Sequence, residues 1–229
     1  MLLITGASSG IGAATARRAS GAGYRLVLGA RREDRLKDLT EELGGARQAV
    51  GVRCDVTDWE DDQALAQAAL DSFGRIDAVF ANAGFGAKRG FLEDSPEHWR
   101  SMVLTNVLGV ALTIRATLPH LLERGTGHYV LTSSVAGRRT LPGSLYSATK
   151  WAVSAMGEAL RTELRQMRDN SGIRVTLIEP GMTDTEFFDD RPTNALADDD
   201  IARTVMFALS EADHVDINEI LVRPASQTG

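Results

Sequence analysis

Short apolar runs alternate along the chain with longer stretches whose apolar residues recur at helical spacing. The runs lie at Leu2–Thr5, Arg25–Gly29, Ala46–Cys54, Ile76–Ala81, His128–Ser133, Ile173–Glu179 and Glu219–Arg223. Their length and content suit strands. The helical stretches begin near Ile11, Glu33, Trp59, Glu97, Tyr146 and Asp200. Several runs, such as Ala78-Val79-Phe80, are apolar throughout, as strands covered on both faces should be. Strand–helix alternation predicts βαβ units. The expectation is one doubly wound α/β domain over 1–229, with a mainly parallel seven-stranded sheet and helices on both faces. The least regular stretch, 183–199, follows a strand and is expected to be a substrate lid.

Composition narrows the classes. A chain of 229 residues with 43% hydrophobic and 24% charged side chains can bury a substantial core. Its net charge of −6 argues against a nucleic-acid partner, which calls for a basic excess. The single cysteine, Cys54, lies in an apolar run and reads as a small core residue. No unbroken apolar run reaches membrane length, and Met1-Leu2-Leu3-Ile4 shows no signal-peptide pattern. The expectation is a soluble cytoplasmic protein without a membrane partner. No metal motif and no nucleophile elbow occur, and His98, His120, His128 and His214 stand outside recognisable catalytic patterns.

The chemistry starts at the end of the first strand, in Thr5-Gly6-Ala7-Ser8-Ser9-Gly10-Ile11-Gly12. Phosphates bind where backbone N–H groups converge at a helix N-terminus with no Cβ in the way. Gly6 permits the turn, Gly10 lets the backbone approach and Gly12 lets the helix pack on the strand. Tyr146 and Lys150, four residues apart, share a helical face. A free phenol titrates near 10. An ammonium beside it would favour the phenolate and make an acid–base catalyst.

The T-G-x-x-x-G-x-G spacing and the Tyr-x-x-x-Lys pair, twelve residues after Ser134, resemble the classical short-chain dehydrogenase/reductase family. The resemblance covers nearly the whole chain and implies a Rossmann-type fold and an oxidoreductase acting on CH–OH groups. It implies that Gly6, Ser8, Ser9, Gly10, Ile11 and Gly12 hold the pyrophosphate. In this family an Asp follows strand two where NAD is preferred; this chain has Ala30 there, followed by Arg31 and Arg32. A guanidinium suits a 2′-phosphate, so the expected cofactor is NADP(H). Asp55-Val56 and Asn82-Ala83-Gly84 match the family's adenine-side and strand-four segments. Pro180, Gly181, Thr183 and Thr185 match its nicotinamide side.

The resemblance further implies that Ser134 orients the substrate oxygen, that Tyr146 exchanges its proton, and that Lys150 holds the nicotinamide ribose and lowers the Tyr146 pKa. Asn106 is implied to hold a proton-relay water. Ser134 is chosen over Ser133 because it precedes Val135-Ala136-Gly137. His214-Val215-Asp216-Ile217-Asn218-Glu219-Ile220 with Val222-Arg223-Pro224, and the earlier Ile178-Glu179-Pro180-Gly181, resemble the NADP-dependent 3-hydroxy acid (serine-type) dehydrogenases and the clavulanic-acid-type dehydrogenases. That implies a small 3-hydroxy acid, aldehyde or ketone as substrate. Arg138 and Arg139 read as solvated loop charges rather than as carriers of a substrate carboxylate. Phe85, Leu141, Met182 and Phe187 read as pocket wall or core. The apolar stripe Val153, Met156, Leu160 and Leu164 covers the sheet, and relatives pair this helix across a two-fold axis, implying a homodimer or homotetramer. The competing reading is a non-catalytic NADP(H)-binding redox sensor.

Overall fold

The computed structural model describes residues 1–167, 172–186 and 192–227. Seven strands form one parallel sheet: β1 (Leu2–Thr5), β2 (Leu26–Ala30), β3 (Ala49–Arg53), β4 (Ala78–Ala81), β5 (Thr126–Thr132), β6 (Gly172–Pro180) and β9 (Glu219–Val222). Their spatial order is β3-β2-β1-β4-β5-β6-β9. Strand progression reverses between β1 and β4. Such a switch point leaves a crevice at the carboxyl ends of the strands.

Alternating side chains feed two cores. Leu3, Val27, Val79, Leu131 and Leu177 point to one face. There they meet α3 (Trp59–Phe73) through Leu65, α5 (Gly109–Arg124) through Ile114 and Leu121, and α6 (Leu145–Gln166) through Val153, Leu160 and Leu164. Leu2, Ile4, Leu28, Phe80 and Ile178 point to the other. They meet α1 (Gly10–Gly21) through Ala16, α2 (Glu33–Glu42) through Leu36, and α7 (Asp198–Ser210) through Val205. This is the expected Rossmann-type architecture, with β1, β2 and β4 buried along their whole length because both faces are covered. Cys54 is buried in the first core, and burial pushes its thiol far up, so it is inert packing.

Boundaries moved at several places. The third strand begins at Ala49, three residues later than its apolar run, because Gly44 and Gly45 form the preceding turn with positive φ. The acidic run Asp198-Asp199-Asp200 does open a helix, with the Asp200 carboxylate accepting from the Ala197 N–H. The Tyr146 helix starts one residue earlier, at Leu145, and runs to Gln166. The 183–199 segment contains a two-residue parallel ladder, β7 (Thr183–Asp184) with β8 (Leu196–Ala197); Phe187 also lies outside the described residues.

The helix expected from Glu97 is a composite. α4 (Pro96–Val103) passes through a π-helical turn, Leu104–Leu108, into α5. Pro96–Arg124 is thus one continuous helix, long and apolar enough by length and composition to cross a membrane. Thr, Asn and Arg side chains interrupt its apolar residues, so no unbroken run is visible. Its buried face, including Val110, Ile114 and Leu121, packs on the sheet.

One buried acid sits between the helices of the first core. Asp62 of α3 accepts from the Thr113 hydroxyl of α5 at 2.9 Å, and its other oxygen has no protein partner. Burial, partly opposed by Thr113 and reinforced by Asp61, Asp55 and Asp58, pushes its pKa from 3.8 to about 7. The folded chain therefore holds a proton that the unfolded chain releases, and stability falls as pH rises from about 4 to about 7. Asp62→Asn should remove that slope: thermal melts should match the parent near pH 4 and unfold at higher temperature above pH 7. An unchanged slope would place its origin elsewhere.

Candidate active site

The site grows from the ends of β1, β4 and β5. The Thr5 hydroxyl accepts from the backbone N–H groups of Asn82 and Ala83, at 3.1 and 3.2 Å. The Asn82 amide donates to the Thr5 carbonyl at 3.3 Å and accepts from the Thr132 hydroxyl at 3.1 Å. Three strand ends are thereby held at one level. Above them the glycines leave no room for side chains. A Cβ on Gly12 would lie 2.3 Å from the Gly6 carbonyl oxygen, and one on Gly6 would lie 2.9 Å from Ala83 Cα. Gly6 and Gly10 have φ of +67° and +50°, so the turn also demands glycine.

A cavity of about 950 Å³ runs over this floor. It is lined by Gly6, Ser8, Ser9, Gly10 and Ile11, by Arg31 and Arg32, by Asp55 and Val56, and by Asn82, Ala83 and Gly84. Ser134, Tyr146 and Lys150 lie at its other end, with Pro180, Gly181, Thr183 and Thr185 along one side. The structure thus brings together the residues named from the sequence, except Gly12 and Asn106, which stand just behind the wall. Phe85, Leu141 and Met182 are wall residues. A glycine-floored groove, a basic end and a buried ammonium beside a phenol fit a nicotinamide dinucleotide.

At the basic end, Arg32 reaches furthest into the cradle. Its Nε donates to Ser8 Oγ at 3.2 Å and its Nη2 to Ser9 Oγ at 2.6 Å. Arg31 is exposed on the cavity rim. The Asp55 carboxylate turns back to accept from the N–H and hydroxyl of Thr57. Val56 packs against Gly109, where a Cβ would come within 2.6 Å of it.

At the reactive end the two serines separate. Ser133 Oγ donates to the Lys150 carbonyl at 3.1 Å and bonds Ser154, so its hydroxyl is tied to α6. Ser134 Oγ donates to the Pro180 carbonyl at 3.3 Å, lines the cavity and hydrogen-bonds the Tyr146 phenol. Lys150 Nζ donates to the Thr132 carbonyl at 2.8 Å and stands 5.7 Å from the Tyr146 ring centroid. Burial lowers its pKa to about 8. Burial also pushes the phenol up to about 12, against a downward pull from Ser134. This differs from the expected depressed tyrosine. In the protein alone the ammonium is occupied with a backbone carbonyl, and desolvation of the phenolate dominates. Tyr146 therefore stands as an acid holding its proton.

Asn106 sits in the π-helical turn, fully buried. Its Oδ1 accepts from the Phe85 N–H at 3.0 Å; its Nδ2 donates to the Phe85 carbonyl at 2.9 Å and to Thr149 Oγ1 at 3.2 Å. The amide clamps the exit of β4 to α6 next to Lys150. The extra residue of the π turn is what aims it there.

Arg138 is not a solvated charge. Its Nε donates to Glu179 at 2.6 Å, and Glu219 pairs with the same guanidinium. Glu179 is buried at the end of β6, where desolvation raises its pKa while Arg138 opposes the rise. A carboxylate inside an otherwise apolar strand needs a cation, and that was the available signal. Arg139 borders a smaller neighbouring cavity of about 290 Å³. Other wall residues had no sequence signal. The Asp94–His98 pair, at 2.8 Å, joins the wall near Phe85, and Gln227 accepts from the Met182 N–H at 3.0 Å from the end of the chain.

Fold and site together define a Rossmann-type oxidoreductase with a nicotinamide dinucleotide groove. A family model described as short chain dehydrogenase matches residues 1–195. An uncharacterized oxidoreductase of Staphylococcus saprophyticus is 37% identical, covering 100% of this chain and 97% of the relative. The crystal structure of serine dehydrogenase from Escherichia coli superposes with a TM-score of 0.89 at 30% identity, covering 100% of this chain and 99% of that one. An alcohol dehydrogenase from the archaeon Thermococcus sibiricus, complexed with 5-hydroxy-NADP, gives 0.88 at 32% identity, covering 100% and 98%. Among further similar structures some hold NADP and others NADH or NAD. The chain belongs to the short-chain dehydrogenase family.

Gly12→Ala should cost about 1–3 kcal/mol, because the new methyl meets a backbone carbonyl that cannot move aside. Urea unfolding checks this. A loss under about 0.5 kcal/mol, the ordinary effect of a surface substitution, would mean that the cradle yields more easily than its geometry implies.

Proposed function

We propose that the protein is an NADP(H)-dependent oxidoreductase moving a hydride between the nicotinamide and a small carbonyl or alcohol: a 3-hydroxy acid, an aldehyde or a ketone. The observation that carries this reading is the convergence of Ser134, Tyr146 and Lys150 at one end of a groove whose other end is a glycine cradle bordered by Arg31 and Arg32. The dinucleotide, when bound, supplies or accepts the hydride. Gly6, Ser8, Ser9, Gly10 and Ile11 hold its pyrophosphate, and Arg31 and Arg32 meet a 2′-phosphate. Asp55 and Val56 flank the adenine, while Asn82, Ala83 and Gly84 and the Pro180–Thr185 segment border the remainder.

Ser134 donates a hydrogen bond to the substrate oxygen and sets its position against Tyr146. The neutral phenol gives its proton to the carbonyl oxygen in reduction; in oxidation it is the phenolate of Tyr146 that takes the proton of the alcohol. Lys150 places a cation beneath the phenol, so the phenolate left after proton transfer is stabilised. Asn106 keeps the Phe85 loop and α6 in register around Lys150, beside the place of a relay water. Phe85, Leu141 and Met182 give the substrate end an apolar wall, which suits a small substrate.

A redox sensor would need only the cradle and the arginines. The catalytic reading is preferred because burying a lysine and a tyrosine together costs stability that a sensor has no reason to bear.

The test is the absorbance of reduced nicotinamide with NADP(H) and NAD(H) in parallel, against serine, other 3-hydroxy acids, secondary alcohols, aldehydes and ketones. Turnover preferring NADP(H) is expected. Tyr146→Phe should lower kcat by roughly 10²–10⁴-fold while the NADPH Kd stays within about twofold. Full activity of that variant would remove Tyr146 from the chemistry. Tight NADPH binding without turnover on any substrate would favour the sensor.

A homodimer or homotetramer is part of the same proposal. Val103, Leu104 and Leu108 on the composite helix and Trp151 on α6 are exposed, and these two helices pack side by side. Light scattering should give a multiple of 24.7 kDa, and Leu108→Glu should reduce it to the single-chain mass. A parent protein that is already monomeric would end this reading.

A further inference from the structure

The basic end of the groove holds an internal anion. Glu186 follows Thr185, whose side chain packs 3.2 Å from where a Gly10 Cβ would stand, so this segment lies against the phosphate cradle. The two Glu186 oxygens go to different arginines. Oε2 accepts from Arg32 Nη1 at 2.8 Å and Oε1 from Arg35 Nη1 at 2.5 Å. With Nε on Ser8 and Nη2 on Ser9, all three nitrogens of the Arg32 guanidinium are committed.

A carboxylate bridging two guanidiniums has the charge and forked geometry that a phosphate monoester presents to the same groups. A 2′-phosphate at Arg32 needs the guanidinium that Glu186 holds and repels the carboxylate as a like charge at close range. The serine hydroxyls can turn and donate to a phosphate; the carboxylate can only accept. Arg32 and Arg35 hold Glu186 down at about 2, so it is an anion throughout the working pH range.

We infer that Glu186 is a built-in competitor for the phosphate subsite, holding Arg32 and Arg35 when the subsite is empty and giving them up when the phosphate of the adenosine ribose arrives. This rests on the NADP(H) reading above. A dinucleotide without the 2′-phosphate leaves the Glu186 bridges in place, so it does not meet this competition. Glu186 therefore lowers the affinity for the phosphorylated cofactor selectively and narrows the preference between the two. It also bridges a pair of like charges, Arg32 and Arg35, and offsets one of the two.

The experiment is calorimetric titration of the purified protein with adenosine 2′,5′-bisphosphate and, as control, adenosine 5′-monophosphate. Glu186→Gln and Glu186→Ala are measured beside the parent; Glu186 is half-exposed, so both variants keep the fold. Both should bind the bisphosphate about threefold to tenfold more tightly, the scale of two exposed ion pairs together. The monophosphate should change by less than about twofold. Equal tightening for both ligands would overturn the inference, since it would reflect only the loss of a nearby negative charge. Weaker or unchanged bisphosphate binding would overturn it too, and weaker binding would make Glu186 a support that aims the arginines. A parent that binds the bisphosphate no better than the monophosphate would instead overturn the NADP(H) reading, and this inference with it.

Discussion

Thr5, Asn82 and Thr132 stand at the carboxyl ends of three adjacent strands, and their hydrogen bonds lock those ends at one height. Everything in the site is measured from that level. The turn after β1 can close only because Gly12 brings α1 within contact of the Gly6 carbonyl, and Asn82 is the side chain against which that turn rests. The cavity floor, the approach of a pyrophosphate and the position of Lys150, which hangs from the Thr132 carbonyl, follow from the same staple. A polar cluster of this kind is stable inside a protein because the described bonds satisfy its donors with strand-end acceptors that would otherwise be left over.

Desolvation shapes the reactive end. Tyr146 and Lys150 are pushed by burial in opposite senses, the phenol up and the ammonium down, so each is held closer to its neutral form. That makes the pair responsive. A negative charge on a substrate oxygen, or a positive charge beside the phenol, acts in a site with little water to screen it. Burial acts on Glu179 as well, which keeps its place at the end of β6 because Arg138 and Glu219 complete an ion-pair cluster there. It governs Asp62 too, which lacks a cation and so holds its proton to higher pH.

Much of the fold was legible because strands buried on both faces need unbroken apolar side chains, and β1 and β4 display them. The glycine cradle was legible because no other residue fits where Gly6 and Gly12 stand. Tyr146 and Lys150 were legible because a helix puts residues four apart on one face. Other features were not. The π turn that aims Asn106 arises from packing of one long helix on α6, with no local composition to mark it. The partners of Arg138 come from two strands far along the chain, so an arginine in a loop looked solvated. Glu186 meets Arg32 across 154 positions, a pairing no spacing could reveal.

The alternation of elements, the places where only glycine is tolerated and the identity of the chemically able side chains are all written in the sequence. Those are local properties, set by periodicity, backbone sterics and functional groups. Tertiary structure sets which serine meets the phenol, which charges are neutralised, and in which direction burial pushes the phenol and the ammonium. These depend on distance and solvent exclusion, which arise when strands far apart in the chain are laid side by side.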